Sequence, residues 1–182
     1  MRPEDEAEFA GLVERQWRFA CRVAWAVLRQ TQDAEDAAQE AFLKIWRVQG
    51  WRDLRDERAW VARVVWRTAV EDWSSRQARL RRHGYRRGER GSDSGVDEVP
   101  DARRSPEESI VAANWEAAVH RLIDSLPEEL RQPLSLSAEM NSREIAEAMG
   151  IAEGTVRTRL MRARQMLREK IEAMEERRYA GR

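Results

Sequence analysis

The side chains best suited to recognising a ligand lie on one face of a predicted helix near the end of the chain. The face carries Arg157, Thr158, Met161, Arg162 and Arg168. A guanidinium group donates hydrogen bonds in a planar fork that matches the edge of guanine, and it also pairs with phosphate. The pattern therefore predicts contact with a DNA major groove, with Arg168 placed for phosphate. The opposite face is an apolar stripe, consisting of Val156, Leu160, Ala163, Leu167 and Ile171.

A helix-turn-helix would place this face in the groove. Ala146, Gly150 and Val156 have the spacing of that motif, with a small residue at the helix crossing, a glycine in the turn and a branched apolar anchor. Asn141 and Glu144 predict a capping box at the start of the first helix. The alternative is a surface helix whose arginines are merely solvated. That alternative does not explain why the spacing of a helix-turn-helix and an arginine-rich face occur together in the same segment.

A second candidate surface is the polar face of a predicted helix over residues 33–47. Asp33 is its predicted N-cap. Asp36, Gln39 and Glu40 point outward, away from the predicted buried side. That buried side consists of Ala34, Ala38, Ala41, Phe42 and Ile45.

Tryptophan is concentrated in the same half of the chain. Seven of the eight tryptophans lie within residues 17–73, more than the core of so small a domain needs. Some are therefore predicted at the surface, where aromatic rings interleaved with arginine can stack on unpaired bases. A core position is favoured for Trp17, Trp25 and Trp46, and both positions stay open for Trp51, Trp66 and Trp73.

Charge and periodicity predict an all-α fold of two small helical domains joined by a flexible linker. Residues 1–79 read as three helices, the last running from about Asp56 to Arg79, and residues 109–182 contain the helix-turn-helix. Between them, residues 80–108 are rich in Gly, Ser, Pro and charge, and they cannot bury enough apolar surface to offset the entropy of ordering. Pro133 predicts a late start or a kink in its helix.

Composition excludes several classes of protein. No apolar run reaches the roughly 18 residues of a membrane span, and the acidic N-terminus is unlike a signal peptide. Cys21 is the lone cysteine and reads as a small buried hydrophobe. His83 and His120 have no partners for metal or acid–base chemistry. We expect a cytoplasmic protein without a metal or cofactor and without catalytic residues.

Three segments of the chain resemble a known protein family. DAEDAAQEAFLKIW looks like the region 2 helix of bacterial RNA polymerase sigma factors, and RAWVARVVWRTAVEDW resembles the promoter-facing helix that follows it. The stretch from LIDSLPEELRQ to RTRLMRARQMLR is similar to region 4. Having these two regions alone, joined by a linker, resembles the extracytoplasmic-function class.

The resemblance implies three groups of site residues. Those that match the polymerase-binding patch are Asp33, Glu35, Asp36, Gln39, Glu40 and Phe42. Those that match the −10 element surface are Trp51, Arg52, Arg63, Arg67 and Glu71, although the family usually has Asn and Asp at the last two positions. Those that match the −35 reading face are Arg157, Thr158, Met161 and Arg162.

The implied function is that of a sigma factor. It would direct core RNA polymerase to promoter DNA, read the −35 and −10 elements and help to melt the −10 element, under control of an anti-sigma factor. An autonomous helix-turn-helix regulator and a protein-interaction adaptor are the alternatives. A regulator would normally dimerise to read two half-sites, and the sequence offers no sustained heptad seam for that.

Overall fold

The computed structural model describes residues 3–48, 51, 56–82 and 118–180, and throughout these ranges the fold is all-α. The first three helices are α1 (Pro3–Leu28), α2 (Thr31–Val48) and α3 (Glu57–Arg82). Then come α4 (residues 118–124), α5 (Glu128–Leu136), α6 (Ser142–Met149) and α7 (Glu153–Ala180). No helix within the described ranges combines the length and apolarity that a bilayer crossing requires.

The first three helices pack against one another because each carries an apolar stripe at helical spacing. Phe9 of α1 holds an aromatic cluster together. Its ring centroid lies 4.7 Å from that of Trp46, 5.3 Å from that of Trp51 and 6.4 Å from that of Phe42. Cys21, predicted as a buried hydrophobe, is 7% exposed, and burial raises its pKa to about 11. That prediction is confirmed.

Two predicted helix starts are wrong. Asp33 does not cap α2, because the helix begins at Thr31 and places Asp33 in its first turn. Helix α5 begins after Pro127 and runs through Pro133 to Leu136, so the late start at the proline is wrong, and the kink stays a prediction. Helix α3 was predicted to end at about Arg79 and ends at Arg82, and the domain boundary at 79 stays a prediction. The rest of the predicted linker, residues 83–108, lies outside the described residues.

The second group of helices is centred on α7. Helix α7 packs on both α5 and α6. Val156, Leu160 and Ala163 are buried as their spacing predicts. Leu167 is partly buried against a smaller cluster formed by Leu126, Leu130 and Ala163. The apolar stripe thus fixes which face of α7 is turned outward.

Candidate nucleic-acid interface

Local interactions set the angle between α6 and α7. The Asn141 side chain accepts hydrogen bonds from the backbone N–H groups of Arg143 and Glu144, both at 3.0 Å. Glu144 in return accepts a 2.7 Å hydrogen bond from the Asn141 backbone. After α6, Gly150 adopts left-handed backbone angles, φ 69° and ψ 34°, which few other residues adopt at low cost. The capping box and the glycine turn are both confirmed.

This turn leaves the predicted reading face of α7 in solvent. Arg157, Thr158, Met161, Arg162 and Arg168 are all exposed. Met161 is 62% exposed, which is unusual for a large apolar side chain on a helix with a buried stripe. The Thr158 hydroxyl donates to the Gly154 carbonyl at 2.9 Å, and Arg157 forms an ion pair with Glu153 one turn earlier. The face is therefore available to a ligand along its length.

A shallow groove beside this face includes residues that the sequence did not single out. It is lined by Glu129 and Leu130 from α5 and by the first turns of α7, including Thr155, Arg159 and Arg162. Glu129 therefore shares the groove with two arginines. The helical wheel of α7 alone could not show this, because α5 is brought here by tertiary packing.

The polymerase patch implied for α2 is only partly at the surface. Glu35, Asp36, Gln39 and Glu40 are exposed, as expected. Phe42 is not, since it is 4% exposed and lies in the aromatic core. Phe42 therefore contributes to the core in this structure, and its contact with core polymerase stays a prediction. Its position in the buried stripe, which the helical spacing also predicted, is correct.

Asp33 is also engaged inside the protein. It forms an ion pair with Arg76 of α3, and Asp72 lies 2.7 Å from the same guanidinium. The hydrogen bond to Asp33 raises the pKa of Arg76 above its ordinary value, against the opposing effect of burial. Asp33 therefore joins α2 to α3 in this structure, and its contact with core polymerase stays a prediction.

Leu43 was missed by the sequence reasoning. It lies one turn beyond Gln39 and Glu40 on the exposed face of α2, and it is 43% exposed. An isolated exposed leucine needs no explanation. Between acidic and amide side chains that a partner would contact, it provides the apolar centre that protein interfaces usually have. A leucine on the otherwise polar face of the helical wheel departs from the amphipathic pattern, and that departure is the sequence signal that could have found it.

The residues implied for the −10 element behave differently again. Arg67 of α3 is exposed. Arg63 lies 3.8 Å from Glu147 of α6, and Glu71 accepts a 3.1 Å hydrogen bond from Lys44 of α2. Arg52 lies outside the described residues. Arg67 is thus the predicted member of this group whose side chain forms none of the described ion pairs.

The tryptophan question is settled toward the core for two of the three open positions. Trp51 and Trp66 are each 7% exposed, and Trp73 is partly buried. The ring of Trp51 packs against Phe9 and stacks at 6.3 Å on Trp46. An expectation that Trp51 stacks on an unpaired base is not met in this structure, because its ring is already covered.

Comparison with known proteins accounts for both groups of helices. The chain matches sigma-70 region 2 over residues 12–79 and sigma-70 region 4 over residues 116–167. It is 33% identical over 155 residues to the RNA polymerase sigma-H factor of Pseudomonas aeruginosa, covering 77% of this chain and 74% of that protein. The chain belongs to the sigma-70 family, in its extracytoplasmic-function class. Its role is promoter-specific initiation of transcription.

Further relatives agree with this assignment. The sigma-E factor of Escherichia coli K12 is 28% identical over 172 residues, with 86% of this chain and 84% of that protein covered. The chain spans 36% of the length of the probable sigma factor RfaY of Xanthomonas campestris, at 30% identity. The fold matches CnrH in complex with the cytosolic domain of CnrY, with a TM-score of 0.60, 21% identity, and 92% and 90% of the two chains covered.

A second solved structure has the same fold. It is the sigma factor RpoE in complex with the anti-sigma factor NepR from Bartonella quintana, with a TM-score of 0.61 and 18% identity. The match covers 94% of this chain and 98% of that one. The two matches extend across both groups of helices and do not stop at either one.

Proposed function

We propose that α7 reads the −35 element of the promoter. The observation that carries this is the exposure of its arginine face directly after the Gly150 turn, opposite a buried stripe. Arg157 and Arg162, with Thr158 and Met161, are near the start of the helix, which is the part that enters a major groove. Arg168 lies further along, where phosphate is the expected contact.

The exposed face of α2 is the proposed contact with core RNA polymerase. It consists of Glu35, Asp36, Gln39, Glu40 and Leu43, with the leucine as the apolar centre. Asp33 and Phe42 support this face from beneath, through α3 and through the aromatic core. We assign them to stability and not to binding.

Helix α3 is the proposed −10 surface. Arg67 is free to contact phosphate, and Arg63 would join it once its ion pair with Glu147 is released. Glu71, once released from Lys44, would face the bases, because its carboxylate can accept hydrogen bonds from a base and is repelled by phosphate. Arg52 stays a prediction. Trp51 holds the end of α2 against α1, and we assign it an indirect contribution to melting.

The decisive experiment is run-off transcription with purified core polymerase added to the full chain. Asp36→Lys with Glu40→Lys replaces two negative charges by positive ones at the proposed interface. If the partner surface is complementary to the acidic face, the resulting like-charge repulsion can cost several kcal/mol of binding free energy. Glu172→Lys with Glu176→Lys is the matched control, since it has the same spacing and the same charge change on an exposed part of α7. Loss of core binding and of transcripts for the first pair alone supports the proposal. Unchanged binding by the first pair removes this face from it.

The chain would act by binding, with bond-making chemistry left to polymerase, and it would work where polymerase works, in the cytoplasm. One of the two matched structures holds an anti-sigma factor. We include a partner of that class in the proposal. A co-purifying protein qualifies only if, added back in purified form, it abolishes run-off transcription by this chain. A bound protein without that effect does not qualify.

A further inference from the structure

A carboxylate lies in the groove beside the proposed reading face of α7. The groove runs between the first turn of α5 and the first turns of α7, and Glu129 lines it together with Thr155, Arg159 and Arg162. Among the described residues that line this groove, Glu129 is the acidic one. Its negative charge is unexpected there, because the groove borders a face that is proposed to receive the polyanion DNA.

Packing between α5 and α7 fixes Glu129 in this position. Leu130 of α5 and Ala163 of α7 are buried in one cluster, at 6% and 0% exposure. Glu129 directly precedes Leu130, and Arg162 directly precedes Ala163, so both charged side chains emerge at the edge of the same helix–helix contact. The carboxylate and the guanidinium are therefore brought to one groove by tertiary packing.

The charged side chains of the groove are not engaged elsewhere in the part of the chain that the structure describes. Glu129, Arg159 and Arg162 form none of the described ion pairs or side-chain hydrogen bonds. The neighbouring Glu128 differs, since it accepts a 2.8 Å hydrogen bond from Gln132 one turn later. Glu128 is thus bonded along its own helix, while Glu129 is open to the arginines across the groove.

The charge of Glu129 acts differently on the two contacts that an arginine can make with DNA. Arg162 can donate to the O6 and N7 atoms of guanine, or it can pair with a phosphate. A phosphate that enters the groove comes close to the Glu129 carboxylate, and the repulsion between the two anions weakens its pairing with Arg162. A base edge carries no net charge, so it is not repelled in this way. A carboxylate beside Arg162 therefore favours contact with bases over contact with phosphate.

We infer that Glu129 is a positioning residue that sets the specificity of −35 recognition through Arg162. Its carboxylate attracts the Arg162 guanidinium to the α5 side of the reading face and excludes phosphate from the groove. Discrimination between sequences rises, while affinity for DNA of any sequence falls. This inference rests on the proposed function of α7.

The test compares Glu129→Gln with Glu128→Gln, each in the full chain bound to core polymerase. Both carboxylates lie in the first turn of α5, so both substitutions remove the same charge and the same favourable interaction with the helix N-terminus. Glu128→Gln also retains an oxygen that can accept the hydrogen bond from Gln132. The two variants differ in whether the lost charge lined the groove. Thermal unfolding verifies that they are equally stable.

The DNA probes come from a pool of duplexes randomised at both promoter elements. Wild-type holoenzyme first selects its preferred duplex from the pool. Each variant is then titrated with that duplex and with one whose −35 element is scrambled, over a series of salt concentrations. The ratio of the two affinities is the specificity ratio.

We expect Glu129→Gln to bind the scrambled duplex about two- to fivefold more tightly than wild type, the range for an exposed charge pair, without a matching gain on the preferred duplex. Its specificity ratio should fall by the same factor. On the scrambled duplex its slope of log affinity against log salt concentration should steepen by about one, because Arg162 gains a phosphate contact. Glu128→Gln should retain the wild-type ratio and slope. In an Arg162→Ala background, Glu129→Gln should change neither.

Equal specificity ratios for wild type and Glu129→Gln would overturn the inference. An equal fall for Glu128→Gln, or a fall that persists in the Arg162→Ala background, would overturn it as well. If wild-type holoenzyme selects no −35 sequence from the pool, the proposed function of α7 is refuted, and the inference is refuted with it. The wild-type selection therefore tests the proposed function separately from the variants.

Discussion

The proposed reading face of region 4 and the candidate faces of region 2 are constructed in opposite ways. On α7 the side chains of the proposed face are exposed, and the ion pair of Arg157 is made to its own helix. On α2 and α3 several of the equivalent side chains are part of the fold. Phe42 is core, Asp33 pairs with Arg76, and Glu71 pairs with Lys44.

The difference follows from what each surface must fit. A helix lying in a groove can be supported from behind by one stripe, so reading and folding use separate residues. A three-helix bundle with this many aromatic residues buries large rings in its core, so residues close to the surface also make contacts within the fold. Substitutions in region 4 should therefore separate promoter reading from stability, whereas those in region 2 should often change both.

The largest expected effect contrasts Phe42→Ala with Met161→Ala. Removing a buried phenylalanine side chain typically costs about 3–5 kcal/mol of unfolding free energy. Met161 is 62% exposed, and its removal should change stability by less than about 0.5 kcal/mol. Urea unfolding of the full chain measures both. Equal stabilities for the two variants would break the contrast between the regions.

Leu43→Ala is the internal control within region 2. Leu43 is the next residue along α2 but is 43% exposed. We expect little loss of stability and a measurable loss of affinity for core polymerase. If Leu43→Ala unfolds the domain as Phe42→Ala does, the exposed face of α2 is structural as a whole.

The sequence predicted region 4 better than region 2 because the evidence for region 4 is local. The capping box, the turn glycine and the buried part of the apolar stripe (Val156, Leu160 and Ala163) are all defined within residues 141–163, and each was found where expected. Phe42 belonged both to a buried stripe and to a family binding patch, and only the packing of three helices decides between them. Arg22 and Glu139 are 117 residues apart, so no spacing rule could have paired them.

A further prediction separates base reading from phosphate contact on α7. An arginine forked onto a guanine contributes about 1–3 kcal/mol of discrimination between bases. Arg162→Ala should therefore relax the preference at one −35 position. Arg168→Ala should weaken binding to all promoter sequences alike. It should also reduce the slope of log affinity against log salt concentration by about one. Transcription from promoters randomised at the −35 element distinguishes them, and a uniform loss for Arg162→Ala would reassign it to phosphate.

A smaller effect is expected at the turn that aims α7. A left-handed backbone conformation costs a residue with a Cβ about 1–2 kcal/mol. An added Cβ at Gly150 would meet no atom within 4 Å, so Gly150→Ala reports backbone strain and not a clash. Gly150→Asn should cost less, since asparagine tolerates this conformation. Thermal unfolding measures both, and an equal cost for the two variants would show that strain is not the reason for the glycine.

A small change in stability is also expected at Glu71, which tests whether region 2 residues can have separable roles. Glu71 is 59% exposed and pairs with Lys44 at 3.1 Å, and an exposed pair of this kind contributes about 0.2–1 kcal/mol. Glu71→Gln should thus leave the unfolding midpoint nearly unchanged. Lys44→Met removes the same ion pair from the other side and is the matched control. If Glu71 faces the −10 element, Glu71→Gln should alter base preference in a promoter library randomised there, while Lys44→Met should not. Identical profiles for the two variants would mean that Glu71 serves the fold through Lys44, and α3 would then read the −10 element through its arginines alone.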